Sequence, residues 1–506
     1  MSTSSTPSNQ KKNAGAGELA SLVKRADQAL AQGHYKLALE QYNHMLALQA
    51  DNLAALVGCG RALTSLKQYE FAIAHLDYAL AAAPQDAAIH HYRGLALQKA
   101  RRFDEAIVAL QTAIELQPDQ PALYLNLANT LADAGDVELA LAFYDQIIAQ
   151  YPSALAFNNR GNLHLDQGRF ALAMQDFTEA ITRQPDQPRF FWNKALLHLL
   201  LGEYAQGWAL YEYGFHTEGE ARGLMRRFDQ PRWLGDTPLA GKRLLLWAEQ
   251  GYGDTIQFCR YALDAMAQGA EVILEVQAPL KALMHSLHPA VQVVAAGEHL
   301  PAFDLHSPLL SMPLAWIKAG VSTLPTHTAY LKADKTRKAT FQLAPPGKLR
   351  VGVVWSGSTT HSNDHRRSLL LQNLQAWRDL SIELHCLQLD VREVDLPTLA
   401  DWPEMHLHTG ALKDFSDTAA LISAMDVVIS VDTSVAHLAG ALGKPVWVLL
   451  PWIPDFRWLL DRVDSPWYPT ARLYRQPVAG DWASVVQQVM LDLQALGSQP
   501  EAPTQE

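Results

Sequence analysis

Over the first 220 residues, apolar and polar positions follow a helical spacing that itself repeats. Alanines 38, 72, 106, 140 and 173 recur at intervals of 34, 34, 34 and 33 residues, and prolines 84, 118, 152 and 185 at 34, 34 and 33. Four residues after each alanine stands a bulky residue (Tyr42, Leu76, Leu110, Tyr144, Phe177), and twelve before each of the later four stands a small one (Gly60, Gly94, Ala128, Gly161). Two short amphipathic helices per repeat account for this pattern. Small residues let the helices approach, bulky ones fill the gap, and proline ends the second helix. From Lys242 the period changes. Arg-Leu-Leu-Leu-Trp-Ala-Glu, starting at Arg243, reads as a short buried strand, with a helix predicted from Thr255 to about Gln268. A second strand (Glu271 to Val276), a helical stretch near 279–287 and a strand around Val293 follow. A Pro- and Lys-rich stretch at 332–348 interrupts the series, and Leu-Arg-Val-Gly-Val-Val-Trp-Ser-Gly, ending at Gly357, opens another that runs to Pro451. Within it the pattern predicts a strand from Val427 to Val431, a polar corner at Asp432, Thr433 and Ser434, a helix to about Leu442 and a strand from Val446. Such alternation predicts parallel, doubly wound sheets. A polar corner at a strand's carboxyl end, opening a helix, is where such sheets bind ligands, and the helix's first amides suit a phosphate.

The 34-residue period resembles the tetratricopeptide repeat (TPR), with five clear units and a degenerate sixth from about 188 to 221. Repeats of this kind stack into a superhelix whose groove holds a peptide or partner protein. Asn126, Asn159 and Asn193 occupy one position, two before the small residue, in the last three repeats, while Gly58 and Tyr92 stand there earlier. Helix propensity does not favour asparagine. Two readings are open: a ladder of amides that hydrogen-bonds an acceptor peptide's backbone, similar to that in O-linked N-acetylglucosamine transferases, or solvated and cap-bonded polar residues. The fold class is α + α/β, a TPR superhelix followed by two Rossmann-like domains. The divisions expected are a disordered N-terminus (1–16), repeats (17–221), a linker (222–241), an acceptor-side domain (242–345), a donor-side domain (346–497) and a disordered tail (498–506).

Composition narrows the function. With 41 basic and 52 acidic residues, a net charge of −11 argues against a nucleic-acid partner. Cys59, Cys259 and Cys386 are far apart and form no CxxC, which fits a reducing cytoplasm. The N-terminal stretch has no apolar core of a signal peptide, and no later run approaches the roughly 20 apolar residues of a membrane span. A cytoplasmic protein without a membrane span is the expectation.

Two motifs carry a closer resemblance. Trp-Ala-Glu-Gln-Gly-Tyr-Gly-Asp-Thr-Ile-Gln-Phe, 247–258, resembles the Gly-Asp loop of bacterial heptosyltransferase-like glycosyltransferases, and Val-Asp-Thr-Ser-Val-Ala-His-Leu-Ala-Gly-Ala, 431–441, resembles their sugar-nucleotide segment. Arg457-Trp458-Leu459-Leu460 and Asp-Ser-Pro-Trp-Tyr-Pro, 464–469, are similar to the C-terminal pattern of bacterial proteins that fuse TPRs to such a domain. The resemblance implies a GT-B glycosyltransferase of two Rossmann-like domains. Such an enzyme moves a sugar from a nucleotide-sugar co-substrate to an acceptor hydroxyl, with inversion, and uses neither a metal nor a further cofactor. No two aspartates are two apart, as a metal-binding Asp-x-Asp would need. The one metal-like spacing, His361 and His365, lies in a segment that reads as a loop and lacks a third ligand.

Transfer needs a base near the acceptor and stabilisation of the departing diphosphate. The resemblance makes Asp254 the base, with Glu249 and His437 in reserve; Asp254 with Gln257 also reads as a capping box for a helix starting at Thr255. Gly251 and Gly253 permit close backbone approach on the acceptor side. For the donor, Thr433, Ser434 and Val435 offer amides and hydroxyls to the diphosphate with His437 one turn on, or Thr433 or Ser434 is an ordinary N-cap and His437 a core histidine. Asp432, which repels phosphate, is expected to orient the corner. Ser356, Gly357 and Ser358 form a second strand-end corner, followed by Arg366 and Arg367, which read as phosphate ligands or as surface charges. Trp355 and Trp452 either stack on a nucleotide base or, as expected by default, pack in the core. The acceptor is read as a protein or peptide held by the repeats. The alternatives are a lipopolysaccharide or other glycan acceptor, and a non-catalytic scaffold that binds a client.

Overall fold

The computed structural model describes residues 19 and 21–497, apart from 218–220, 224, 322–323, 325–326, 342, 344–346 and 360–362. The two predicted disordered termini therefore lie outside the described residues. The chain forms two compact units that part between Asp186 and Gln187.

The first unit is a run of paired helices, among them Leu53–Ser65 with Tyr69–Ala82, Ala87–Lys99 with Phe103–Leu116, and Ala154–Asp166 with Phe170–Arg183. Every one of the period-marking alanines is fully buried, and the bulky residues four later are buried with them. The small residues do what the spacing requires. A Cβ on Gly60 would stand 2.5 Å from Leu76 Cγ, one on Gly94 2.7 Å from Leu110 Cγ, and one on Gly161 2.9 Å from Phe177 Cε1. Asn52, Asp86 and Ser153 cap three of the first helices through their side chains.

The second unit begins with the helices of the degenerate repeat, Pro188–Leu200 and Tyr204–Tyr211. They pack on the α/β part of the unit: Trp208 meets Phe258 and Phe456 edge-on at 5.8 and 5.7 Å. The segment expected as a linker is packed as well. Arg222 is fully buried, Trp233 donates its amide to the His306 carbonyl at 2.8 Å, and Arg232 bridges His306 in parallel.

Among the described residues, ten strands form two all-parallel sheets. The first holds β1 (Arg243–Trp247), β2 (Glu271–Val276), β3 (Gln292–Ala295) and β4 (Leu305–Pro308) in the order β3-β2-β1-β4. The second holds β5 (Leu349–Val354), β6 (Ile382–Cys386), β7 (His406–Leu407), β8 (Val427–Val431), β9 (Val446–Leu450) and β10 (Ala471–Arg475) in the order β10-β9-β8-β5-β6-β7. Both orders reverse beside the first strand, between β1 and β4 and between β5 and β8, and such a switch point opens a crevice at the strands' carboxyl ends. β8 and the start of β9 fall where the pattern predicts. The helix expected from Thr255 to Gln268 is instead two, α1 (Tyr252–Phe258) and Tyr261–Ala267. They are separated where buried Arg260 turns its Nε to the Gln257 carbonyl, at 2.7 Å. No helix among the described residues is long and apolar enough to cross a membrane.

Candidate active site where the two sheets meet

The loop after β1 and the loop after β8 each leave a switch point and open a helix, α1 and α2 (Ser434–Ala441). The two helix starts touch. A Cβ on Gly253 would lie 2.9 Å from His437 Cδ2 and 3.5 Å from Ser434 Cα. This brings the Gly-Asp loop of the first sheet and the polar corner of the second to one place.

Asp254 stands third in α1, and its Oδ2 accepts the Gly251 amide at 2.9 Å. The helix therefore starts three residues earlier than the capping-box reading has it, and Asp254 closes the first turn from inside. Gly251, at the cap position, has no side chain to return the bond. The other carboxylate oxygen of Asp254 is held by Arg457, whose Nη1 also binds Asp455 at 2.7 Å and whose Nε donates to Gln257 Oε1 at 2.9 Å. Burial raises the Asp254 pKa, and the Arg457 charge works against that rise.

On the opposite side, Thr433 occupies the N-cap position of α2 without capping it. Its hydroxyl pairs with Ser430 Oγ at 3.0 Å. The first turn of α2, beginning with Ser434 and Val435, thus has no side-chain cap from Thr433, and an uncapped helix start of this kind can receive an anion. His437 is buried, stacked on Trp458 with centroids 5.3 Å apart, and its Nδ1 meets Tyr468 Oη at 3.0 Å. Burial, and then the charges of Arg457, Arg260 and Arg367, push its pKa well below the ordinary value, so the ring is neutral. Asp432 lies 3.8 Å from His437 Nε2. Burial and the nearby Asp455 carboxylate push its pKa up to about 6, with Arg367 pulling the other way.

Other expected site residues stand differently. Glu249 is enclosed rather than poised as a reserve base. One oxygen binds Arg222 at 2.5 Å and the Leu310 amide at 3.1 Å, the other takes the Leu309 amide at 3.1 Å, and the side chain is 1% exposed. The amides of the Ser356–Gly357–Ser358 corner are largely consumed within the protein. Gln388 Oε1 accepts from Trp355 and Ser356 at 2.9 and 3.0 Å, and Ser368 Oγ from Gly357 at 3.0 Å. Arg367 does reach the site, lying over Gly357 and donating to the Asp432 carbonyl at 2.8 Å, whereas Arg366 is exposed. Trp355 is buried, as expected, but Trp452 is 40% exposed. The asparagine position is used inside the repeats: Asn126 Nδ2 bonds His91 at 2.6 Å, and Asn159 Nδ2 bonds Asn129 Oδ1 at 2.9 Å. Asn193 is half-buried on Pro188–Leu200 in the other unit. His361 lies outside the described residues, among which no group of three or more His, Cys, Asp or Glu is placed to hold a metal ion.

The sequence assigns no role to Arg457, Asp455 or Tyr468, and it reads Gln257 only as half of a capping box, not as the acceptor of the Arg457 Nε hydrogen. Arg457 and Tyr468 fall within the C-terminal patterns already quoted, which was the available signal.

Comparison with known proteins bears on the repeats and on part of the second sheet. Residues 29–94, 93–154 and 154–187 match TPR family models, and residues 410–449, spanning β8, α2 and nearly all of β9, match the model of glycosyltransferase family 9 (heptosyltransferase). The chain joins N-terminal TPRs to a family 9 glycosyltransferase domain. Among curated proteins it is similar to Protein FlbA of Caulobacter vibrioides, 27% identical over 403 residues that make up 71% of this chain and 65% of that one. The chain thus spans less than two thirds of that relative. Solved structures similar to it include a thermophilic TPR protein of Thermus thermophilus (19% identity, 36% of this chain and 99% of that one, TM-score 0.34). Another is a TPR protein of Parabacteroides merdae (18%, 38% and 76%, TM-score 0.36).

Proposed function

We propose that the chain is a glycosyltransferase that moves a sugar from a nucleotide-sugar donor to an acceptor hydroxyl, with Asp254 as base. The observation that carries this reading is the uncapped amino end of α2 at the switch point of the second sheet, facing Gly253 and Asp254 at the switch point of the first. The donor's diphosphate lies at Thr433, Ser434 and Val435, where amides and the helix dipole offset its charge, and Arg367 supplies a cation from the neighbouring corner. The acceptor oxygen attacks the anomeric carbon, its proton passes to Asp254, and the bond to the diphosphate breaks with its electron pair. A carboxylate whose pKa burial has raised suits that task. Reaction at one face by direct displacement inverts the anomeric centre. The repeats, as in other TPR arrays, hold a protein acceptor.

Saturation-transfer nuclear magnetic resonance with a panel of nucleotide sugars tests this reading. One donor is expected to bind the parent protein and to be lost in Thr433→Ala and His437→Ala, with folding of each variant checked by circular dichroism. If the folded parent binds no member of the panel, the transferase reading gives way to a scaffold in which the repeats do the work.

A further inference from the structure

Arg457 is a buried cation of the crevice, and in this structure it is spent on carboxylates. Its guanidinium is shared between Asp254, from the first sheet's helix, and Asp455, from its own loop, with Gln257 taking the Nε hydrogen. An aspartate in this pairing is a poor base, because the oxygen that would take a proton already accepts from an arginine. The same arginine, aimed at Asp254, is unavailable to a diphosphate.

Other donors around it lack acceptors. Gln257 is fully buried, and its Nε2 has no partner among the described residues; neither has Arg367 Nε. Buried donors without acceptors are uncommon and call for a reason, one of which is a missing ligand. With the uncapped amides of Ser434 and Val435 they make a set of donors rimmed by three carboxylates, Asp254, Asp432 and Asp455. Such a set accepts an anion best if a cation can be withdrawn from the carboxylates to meet it.

Resting on the transferase reading above, we propose that Arg457 is a two-position switch: it holds Asp254 in the empty site and transfers to the donor's diphosphate on binding, which frees Asp254 to take the acceptor's proton. The base is then competent only with donor in place. Losing Arg457 removes the influence that works against burial, so the freed Asp254 is the stronger base. Arg457 next stabilises the negative charge that builds on the diphosphate as the glycosidic bond breaks. The loop that carries it continues into Leu459 at a φ of 52°, a backbone state that a leucine adopts only under constraint.

The switch makes Asp254 and the diphosphate competitors for one cation, and this is measurable with nucleoside diphosphates alone. The test is titration calorimetry of the full chain with uridine, guanosine, adenosine, cytidine and thymidine diphosphates, for the parent, Asp254→Asn, Arg457→Gln and the double variant. For the nucleotide that the parent binds, Arg457→Gln is expected to weaken affinity by roughly tenfold or more. Asp254→Asn is expected to tighten it by roughly fivefold, and that gain disappears in the Arg457→Gln background. A gain that persists in the double variant would mean that Asp254 merely repels the diphosphate, and the switch falls. An Arg457→Gln variant that binds as the parent does also overturns it while leaving the donor site standing. Failure of the folded parent to bind any of the five removes the donor reading and the switch together. Where Arg457→Gln does not fold, Arg457→Lys, which keeps the charge but loses the fork, carries the cycle.

Discussion

Gly253 lies against the ring of His437 so closely that a Cβ there would stand 2.9 Å from Cδ2. The contact joins α1 of one sheet to α2 of the other, and His437 has no room to yield, being stacked on Trp458 and bonded to Tyr468. Gly253→Ala therefore has to part the two helix starts. We expect it to cost about 1–3 kcal/mol in denaturant unfolding and to weaken donor binding. At Gly251 an added carbon meets only Asp254 Oδ2, at 3.2 Å, so Gly251→Ala should cost clearly less.

Asp432 makes stability at this corner depend on pH. Its folded pKa of about 6 is above the ordinary carboxylate value of 3.8, so the folded protein holds a proton that the unfolded chain has released. Between pH 4 and 6 the contribution of this group to stability falls as pH rises, and above pH 6 the full penalty of a buried charge is present. Asp432→Asn removes that penalty. Chemical unfolding should find the variant close to its parent at pH 4 and more stable by roughly 1–3 kcal/mol at pH 7.5. A difference that shrinks as pH rises would show the sign to be wrong.

Arg222 is the counter-charge for Glu249, and Glu212 shares it at 2.8 Å. Replacing Arg222 with methionine leaves an enclosed carboxylate without its cation, for which the expected loss is about 3–5 kcal/mol. Adding Glu249→Gln should return part of that loss, because the stranded charge goes with it. If the second substitution destabilises further, Glu249 is not the group that Arg222 serves.

The repeats were legible because each contact that defines them closes within one unit: Gly60 meets Leu76, and Gly161 meets Phe177, sixteen residues on. β8 and the corner after it were legible for a similar reason, since a run of five buried residues ending in Asp-Thr-Ser signals strand and turn locally. The start of α1 was misplaced because its cap is a glycine, which carries no side-chain signal, while Asp254 looks like a cap from either register. Long-range pairings were not legible at all. Arg457 and Asp254 are 203 positions apart, and nothing local marks either as the other's partner. Glu249 looked available as a base because Arg222, which occupies it, sits in a stretch read as linker. The asparagines looked free to bind a peptide because their partners, His91 and Asn129, lie one repeat away.

The asparagine bonds can be tested in their own right. Asn159→Ala leaves Asn129 Oδ1 still held by Tyr144 at 2.5 Å, so the repeat should lose only about 1 kcal/mol. A much larger loss would mean that the inter-repeat amide does more than join two helices.

In the proposed transferase, Asp254 acts as base at a donor site built by the other sheet. The most direct measurement compares parent and Asp254→Asn for two quantities in the same preparation: affinity for the nucleotide-sugar donor, and release of nucleoside diphosphate as sugar is transferred to acceptor or to water. This role for Asp254 predicts donor binding that is retained or tighter in the variant, with turnover lowered by about 10²–10⁴-fold. Turnover that survives Asp254→Asn unchanged would contradict it.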